Sequence, residues 1–347
     1  MTSAVTVPVT VAVVGAVGAL LATPVARAVA IRLGVTDDPD GRKAHTTPTP
    51  YLGGLAIAFG IVVGVLAGRS FSWAATAVAA GALLLVVVGV VDDLRNLSPV
   101  LRLGLEAGAA GLALLGGVAF PVHAPVVLLP VALAWIVLLA NSVNLLDNMD
   151  GAAASSTGAV AGVLAVGAAL FEQPLTAVFA AATAGACAGF LRWNWRPARI
   201  FMGDGGSLLL GYLLAVGSLA VVRDVELGRA AVAMVLFAAL PLFDTSLVVI
   251  SRRRAGRSFL QGGTDHSSHR LRRAGLSVGG SAATLAAAAA ALATMGLVVA
   301  RGQLPVVPVA IAAATAWAVL LTLGLRVSCY PGDRARRRTE TIPLPHN

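Results

Sequence analysis

Residues 125–151 read PVVLLPVALAWIVLLANSVNLLDNMDG. Up to Ala140 there is no charged residue, and a run of about twenty apolar residues is what a helix needs to cross a bilayer. The next ten positions then carry three asparagines and two aspartates. Asn141, Asn144, Asp147 and Asp150 recur at every third position, and Asn141, Asn144 and Asn148 fall near one helix face. One Asn and one Gly would suffice to end a helix. Three amides and two acids exceed that need, so the stretch reads as a membrane span that ends in a ligand site.

The rest of the chain agrees with this reading. Of the 347 residues, 58% are hydrophobic and only 12% charged, whereas soluble domains run near a quarter charged. Apolar runs fall at roughly 5–30, 51–68, 73–91, 101–120, 125–146, 152–170, 174–191, 206–222, 229–250, 280–300 and 304–324. The expected fold is therefore all-α: a polytopic integral membrane protein with about eleven transmembrane helices. Residues 1–325 form one membrane domain, and 326–347 a basic cytoplasmic tail. The second, sixth and seventh runs are rich in Gly and Ala, which permits close helix packing.

Basic residues set the orientation. The loops after even-numbered runs hold only Arg69, Arg223, Arg229 and Arg301, while the other 21 of the 25 Lys and Arg lie on the opposite side. Positive loops face the cytoplasm, so Met1 is expected outside and Asn347 inside. The net charge of +9 is then an orientation signal spread over loops, not a nucleic-acid surface. No Lys or Arg precedes Arg27, so the first run lacks the basic start of a signal peptide. Cys187 and Cys329 are expected to be free thiols.

The acids gather on the same side. Asp37, Asp38, Asp40, Asp92, Asp93, Asp147, Asp150, Asp204 and Asp265 all fall on cytoplasmic loops or span ends; Glu172, Asp224 and Glu226 lie outside. This asymmetry points to an active site on the cytoplasmic face. The first loop, DDPDGRKAHTTPTPYLGG, is rich in turn residues and carries Lys43 and His45, which suit an anionic ligand. On its own it better fits a basic anchor beside a polar loop. The second, VVDDLRNLSP, sets Asp92 beside Asp93. Adjacent carboxylates repel, which suits one to accept a proton or the pair to hold a cation. In RIFMGDGGSLLLGY a Gly-rich turn leads into a helix start, where backbone N–H groups can face phosphate and Asp204 can hold Mg²⁺.

The longest cytoplasmic loop contains TDHSSHRLRR. His266 and His269, with Arg270 next to them, suit a pyrophosphate better than zinc, because no Cys or third nearby His completes a zinc set. Asp244 lies inside the ninth run, about two turns from its basic end, with Pro241 as a kink; an acid at that depth is a functional candidate. Glu106 is placed similarly, but it has Arg102 four residues away as a partner. Together the motifs call for Mg²⁺, phosphate binders and a base at the membrane boundary. That is the equipment of phosphoryl transfer to a lipid.

In order, the segments RKAHTTPTPYLGG, VVDDLRNLSP, NSVNLLDNMDG, FMGDGGS and DHSSHRL resemble the polyprenyl-phosphate N-acetylhexosamine-1-phosphate transferases, which include the MraY and WecA/TagO branches. The resemblance covers roughly residues 35–275. It implies an enzyme that moves a sugar-1-phosphate from a UDP-N-acetylhexosamine to a polyprenyl phosphate such as undecaprenyl or decaprenyl phosphate. UMP is released, Mg²⁺ or Mn²⁺ is required, and the location is the cytoplasmic membrane. It also implies roles: Asp92, Asp93 and Asp147 in catalysis; Asp204 with Asn144 at the metal; Lys43, His45, Asn144, Asn148, Asp150, Asp244, His266, His269 and Arg270 around the substrates. A homodimer is compatible with it.

Two departures stand out. Asn148 replaces a Gly common between the two acids, and Ser268 stands where WecA/TagO members often carry a further His. The three consecutive His of the MraY branch are absent, which favours a GlcNAc-1-phosphate donor over UDP-MurNAc-pentapeptide. A non-enzymatic transporter of the same composition would place its charges near mid-span. Here they cluster at span ends.

Overall fold

A computed structural model describes residues 2–37, 48–69, 71–117, 127–258 and 262–330. Its elements run α1 (Thr2–Arg32), β1 (Thr36–Asp37), β2 (Thr49–Pro50), α2 (Gly53–Ala67), α3 (Trp73–Arg95), α4 (Pro99–Leu115) and α5 (Leu128–Leu146). There follow α6 (Ala152–Leu170), α7 (Pro174–Asn194), α8 (Gly203–Val221), α9 (Leu227–Phe237), α10 (Ala239–Arg254), α11 (Ser267–Arg273), α12 (Val278–Ala300) and α13 (Val306–Arg326). The chain is a multi-pass helical membrane protein. The two strands are a short antiparallel pair of two residues each.

Each of the eleven apolar runs coincides with helix, but the runs are not equivalent. Among the described residues, eight helices are long and apolar enough to cross a membrane, or nine if the bent pair α9–α10 is one span. α2 has only 15 residues, and α4 has 17 and carries Arg102 and Glu106. The ninth run bends where Pro241 leads one to expect a kink: it is two helices meeting at 68°. Pro241 sits in the first turn of α10. Its ring lacks an N–H and crowds the carbonyl of the residue four back, which is Phe237, the last of α9.

The helix ends follow local chemistry. Ser72, Ser98 and Ser277 cap α3, α4 and α12 by accepting from the backbone N–H three residues on, and Asn96 ends α3 in the left-handed region at φ 50°. α8 runs through the middle of the bundle and is buried on nearly every side. Two glycine contacts bring other helices onto its first turn. A Cβ on Gly89 of α3 would lie 2.2 Å from the Gly205 nitrogen, and one on Gly54 of α2 would lie 2.3 Å from the Gly206 nitrogen. Only glycine permits that approach. It sets the end of α3 against the start of α8. At the other extreme, α13 buries none of its residues, so its apolar surface is left for lipid.

Candidate active site

Four helix ends meet around Arg102. The guanidinium donates through Nη1 to Asp92 Oδ2 at 2.7 Å and to Asp204 Oδ2 at 2.8 Å. Nη2 donates to Asn144 Oδ1 at 3.0 Å, and Nε to Glu106 Oε1 at 3.0 Å. Asn144 in turn donates through Nδ2 to Asp204 Oδ1 at 2.8 Å and to Ser207 Oγ at 2.9 Å. Asn141 donates to Glu106 Oε2, so the 1%-exposed glutamate has a partner for each oxygen. The Asn141–Asn144 face expected from the 3.6-residue period is thus directed at α4 and α8.

Asp92 and Asp93 divide their work. Asp92 Oδ1 accepts from the Leu97 N–H at 2.6 Å, closing the turn after α3. Asp93 accepts from the Asp204 N–H through both oxygens, at 3.1 and 3.0 Å. It therefore caps the positive end of α8, where a carboxylate is favoured by the helix dipole. Gly203 makes the cap possible: its φ is +68°, and a Cβ there would lie 2.5 Å from Asp93 Oδ2.

Asp147 follows the last residue of α5 and is half-buried. Among the described residues nothing donates a hydrogen bond to its carboxylate. Burial, then the charges of Asp204, Asp93 and Asp150, push its pKa up to about 8. It is thus the acid of this group best placed to hold a proton near neutral pH.

A second cluster lies on the loop before and within α11. Asp244, fully buried in α10, accepts from the Ser267 N–H at 2.6 Å and is paired with His266 Nδ1 at 2.8 Å. His266 Nε2 lies 3.5 Å from Arg252 Nη2. Arg252 grips Asp265 with Nε and Nη2, at 3.0 and 3.1 Å. Burial opposes ionisation of Asp265, but hydrogen bonds from Arg252 and Tyr330 hold its carboxyl below the usual range. His269 is half-buried, and burial, then His266 and the arginines of α11, lower it to about 4. Its ring is therefore neutral near pH 7.

One side-chain bond ties the two clusters. Ser268 Oγ donates to Asn148 Oδ1, while Asn148 Nδ2 donates to the Leu145 and Leu146 carbonyls at 2.9 and 3.1 Å. The two departures from the family pattern therefore touch each other.

The structure brings Asp92, Asp93, Asn144, Asp147 and Asp204 to one centre, with Asn148 leading to Asp244, His266 and His269. Two further expected substrate contacts also have partners within the protein. Asp150 accepts from the Ala198 N–H at 3.1 Å and from Arg196 Nη1 at 3.2 Å. Arg270 donates to the carbonyls of Asp265, Gly324 and Val327 and to Ser251 Oγ. Lys43 and His45 lie outside the described residues. Arg102 is what the sequence reading underrated, as a mere partner of Glu106. A basic residue on a short apolar helix, four positions from an acid, was the signal.

The donor set suits a hard cation. Asp204 offers two carboxylate oxygens and Asn144 an amide oxygen once its amide turns. Among the described residues no group of three or more His, Cys, Asp or Glu forms a ready cage. Mg²⁺ commonly takes one or two protein carboxylates and completes its shell with water and phosphate oxygens, so the residues fit.

Comparison with known proteins bears on what such a centre serves. The family model of glycosyl transferase family 4 matches residues 75–222, which hold Asp92, Arg102, Asn144, Asp147 and Asp204. A Bacillus subtilis protein named as a probable undecaprenyl-phosphate N-acetylglucosaminyl 1-phosphate transferase is 32% identical over 270 residues, 74% of this chain and 75% of the relative. The chain belongs to the polyprenyl-phosphate N-acetylhexosamine-1-phosphate transferase family. A second member, the decaprenyl-phosphate N-acetylglucosaminephosphotransferase of Mycolicibacterium smegmatis, is 33% identical over 307 residues, 75% of each chain. A phospho-N-acetylmuramoyl-pentapeptide-transferase of Heliobacterium modesticaldum is 34% identical, over 57% of this chain and 68% of its own. This transferase family thus spans both donor types, and the similarity extends further along this chain in the N-acetylglucosamine branch.

Proposed function

We propose that this chain transfers N-acetylglucosamine-1-phosphate from UDP-GlcNAc to a polyprenyl phosphate in the cytoplasmic membrane. An oxygen of the lipid phosphate attacks the phosphorus that bears the sugar. The bond to the bridging oxygen breaks, UMP leaves, and a polyprenyl-pyrophosphate-linked sugar remains. The observation that carries this reading is the convergence of Asp92, Asn144 and Asp204 on Arg102, with Asp93 capping α8 beside them, at the ends of four helices. It is supported by the names of the relatives.

Asp204 and Asn144 would hold Mg²⁺, or Mn²⁺ in its place. When bound, the metal supplies neutralisation of the pyrophosphate oxygens. Arg102 can release Asp204 and turn to a phosphate, since a guanidinium suits either anion. The ionised form of Asp147, a minority at neutral pH because its pKa is raised, takes a proton from the monoanionic fraction of the lipid phosphate, whose second pKa is near 6 by analogy with phosphoserine. Asp93 holds the start of α8 so that the Asp204 carboxylate keeps its place. The neutral His269 and the His266–Asp244 pair line the donor side.

The same reading takes eleven crossings, counting α2, α4 and the bent pair, with the site on the cytoplasmic face. That orientation is supported by the loop arginines. The deciding experiment is to incubate purified protein with polyprenyl phosphate, Mg²⁺ and a panel of UDP-sugars. UMP and a lipid-linked sugar should form with UDP-GlcNAc. Turnover with UDP-MurNAc-pentapeptide alone would move the chain to the other donor, and no UMP with any sugar would sink the transferase reading.

A further inference from the structure

Everything past residue 325 looks in sequence like a basic tail, yet Val327–Tyr330 lies on the histidine loop. Tyr330 Oη donates to Asp265 Oδ2 at 2.7 Å, the oxygen that Arg252 Nε also reaches. The Arg257 guanidinium sits over the Tyr330 ring, 5.0 Å from its centre. Arg273 Nη1 donates to Cys329 Sγ at 2.9 Å and to the Thr264 carbonyl at 2.7 Å. Arg270 Nη1 donates to the carbonyls of Gly324 and Val327. Three arginines from the loop region and one aspartate thus hold a four-residue segment.

The segment matters because of what Asp265 does. Its carboxylate is fully buried and fixes the Arg252 guanidinium, whose Nη2 faces His266. A buried carboxylate that loses a donor is poorly satisfied and pulls on its remaining partner. The chain of contact therefore runs from Tyr330 through Asp265 and Arg252 to His266 and Asp244. α13 buries none of its own residues; Trp317 meets the Phe243 ring along its length, and these polar contacts tie down its end.

We propose that Val327–Tyr330 is a clamp that positions the histidine loop toward the donor pyrophosphate, with Tyr330 as the positioning residue. The inference rests on the transferase reading for its substrate. Burial, then the bond and charge of Asp265, push the Tyr330 phenol up to about 12. It therefore remains a proton donor across the pH range of any assay.

The test is Tyr330→Phe in the full chain, which keeps the ring under Arg257 and removes only the hydroxyl. Losing one hydrogen bond to a carboxylate should raise the KM for UDP-GlcNAc about tenfold, with the KM for polyprenyl phosphate within about twofold. A purely structural role would instead lower the active fraction and leave both KM values unchanged. Arg257→Gln, which removes the stack, should give the same split at smaller size. Hydrogen exchange over residues 264–273 reads the clamp without turnover and should quicken in Tyr330→Phe. An unchanged donor KM, an equal rise in both KM values, or unchanged exchange in that segment would each overturn the clamp. A wild-type protein that releases no UMP would overturn the transferase reading, while exchange still judges the clamp.

Discussion

The two buried polar clusters are built on opposite principles. Around α8, Asp92, Asp204 and Glu106 share a single guanidinium, while Asp93 leans on backbone N–H groups and Asp147 has no donor among the described residues. Around α11, Asp244 and Asp265 meet His266, Arg252 and Tyr330, and each carboxylate has close donors. The first cluster carries more negative charge than its own side chains offset; the second is satisfied internally. Uncompensated charge in a partly buried place costs stability, and such arrangements concentrate where a ligand completes them. The difference supports the reading in which a cation and phosphate complete the first cluster, while the second holds the histidine loop in shape beside the donor.

The largest expected effect breaks the first cluster at its metal oxygens. Asp204→Asn keeps the size and loses the charge. Turnover should fall on the order of a thousandfold, the scale seen when a preorganised electrostatic group is lost at a reacting centre. Mn²⁺ binding followed by paramagnetic resonance should weaken in parallel. Retained Mn²⁺ affinity would mean that the metal sits elsewhere.

Asp147→Asn sharpens the comparison through pH. The folded-state pKa near 8 lies above the ordinary 3.8. The neutral form is therefore the one the fold prefers, and its contribution to stability is fully present below about pH 4 and lost as pH rises through 8. In metal-free protein the thermal midpoint should decline over that window, and Asp147→Asn should remove a few degrees of the decline. Added Mg²⁺ should flatten the wild-type curve, since a cation offsets the neighbouring carboxylates. Parallel curves for wild type and variant would show that Asp147 ionises as an ordinary surface acid. Turnover of the variant should also fall and should not recover on raising the pH, because no carboxylate remains to titrate.

The smallest effect concerns the bridge between the clusters. Ser268→His meets the Asn148 side chain, whereas Asn148→Gly clears that space. We expect each single variant to lose several-fold in turnover and the double variant to regain part of it, with a coupling on the order of 1 kcal/mol. Strictly additive losses would mean that the Asn148–Ser268 bond does not join the two loops in function.

Much of this molecule is legible in one dimension. The apolar runs predict where helices lie, because a membrane helix must satisfy its backbone within itself and cover itself with apolar side chains. The excess of amides and acids at 141–150 points to a candidate site for the same reason: polar groups at that depth are costly without a purpose. The break before Pro241 was half legible, since proline announces a kink but not its size.

Partner choice was decided only by the tertiary structure. Arg102 and Asp204 are 102 positions apart, and Tyr330 and Asp265 are 65 apart. Nothing local tells a side chain which helix end it will face. Asp150 and Arg270 carry the chemistry of ligand contacts, yet Arg196 and Ala198 hold the one and the carbonyls at the end of α13 hold the other. A sequence lists the charges that a site can use. Which of them remain available, and which are spent on the fold, depends on glycine-mediated approaches such as Gly89 against Gly205, because close packing sets which helix ends lie within hydrogen-bond reach.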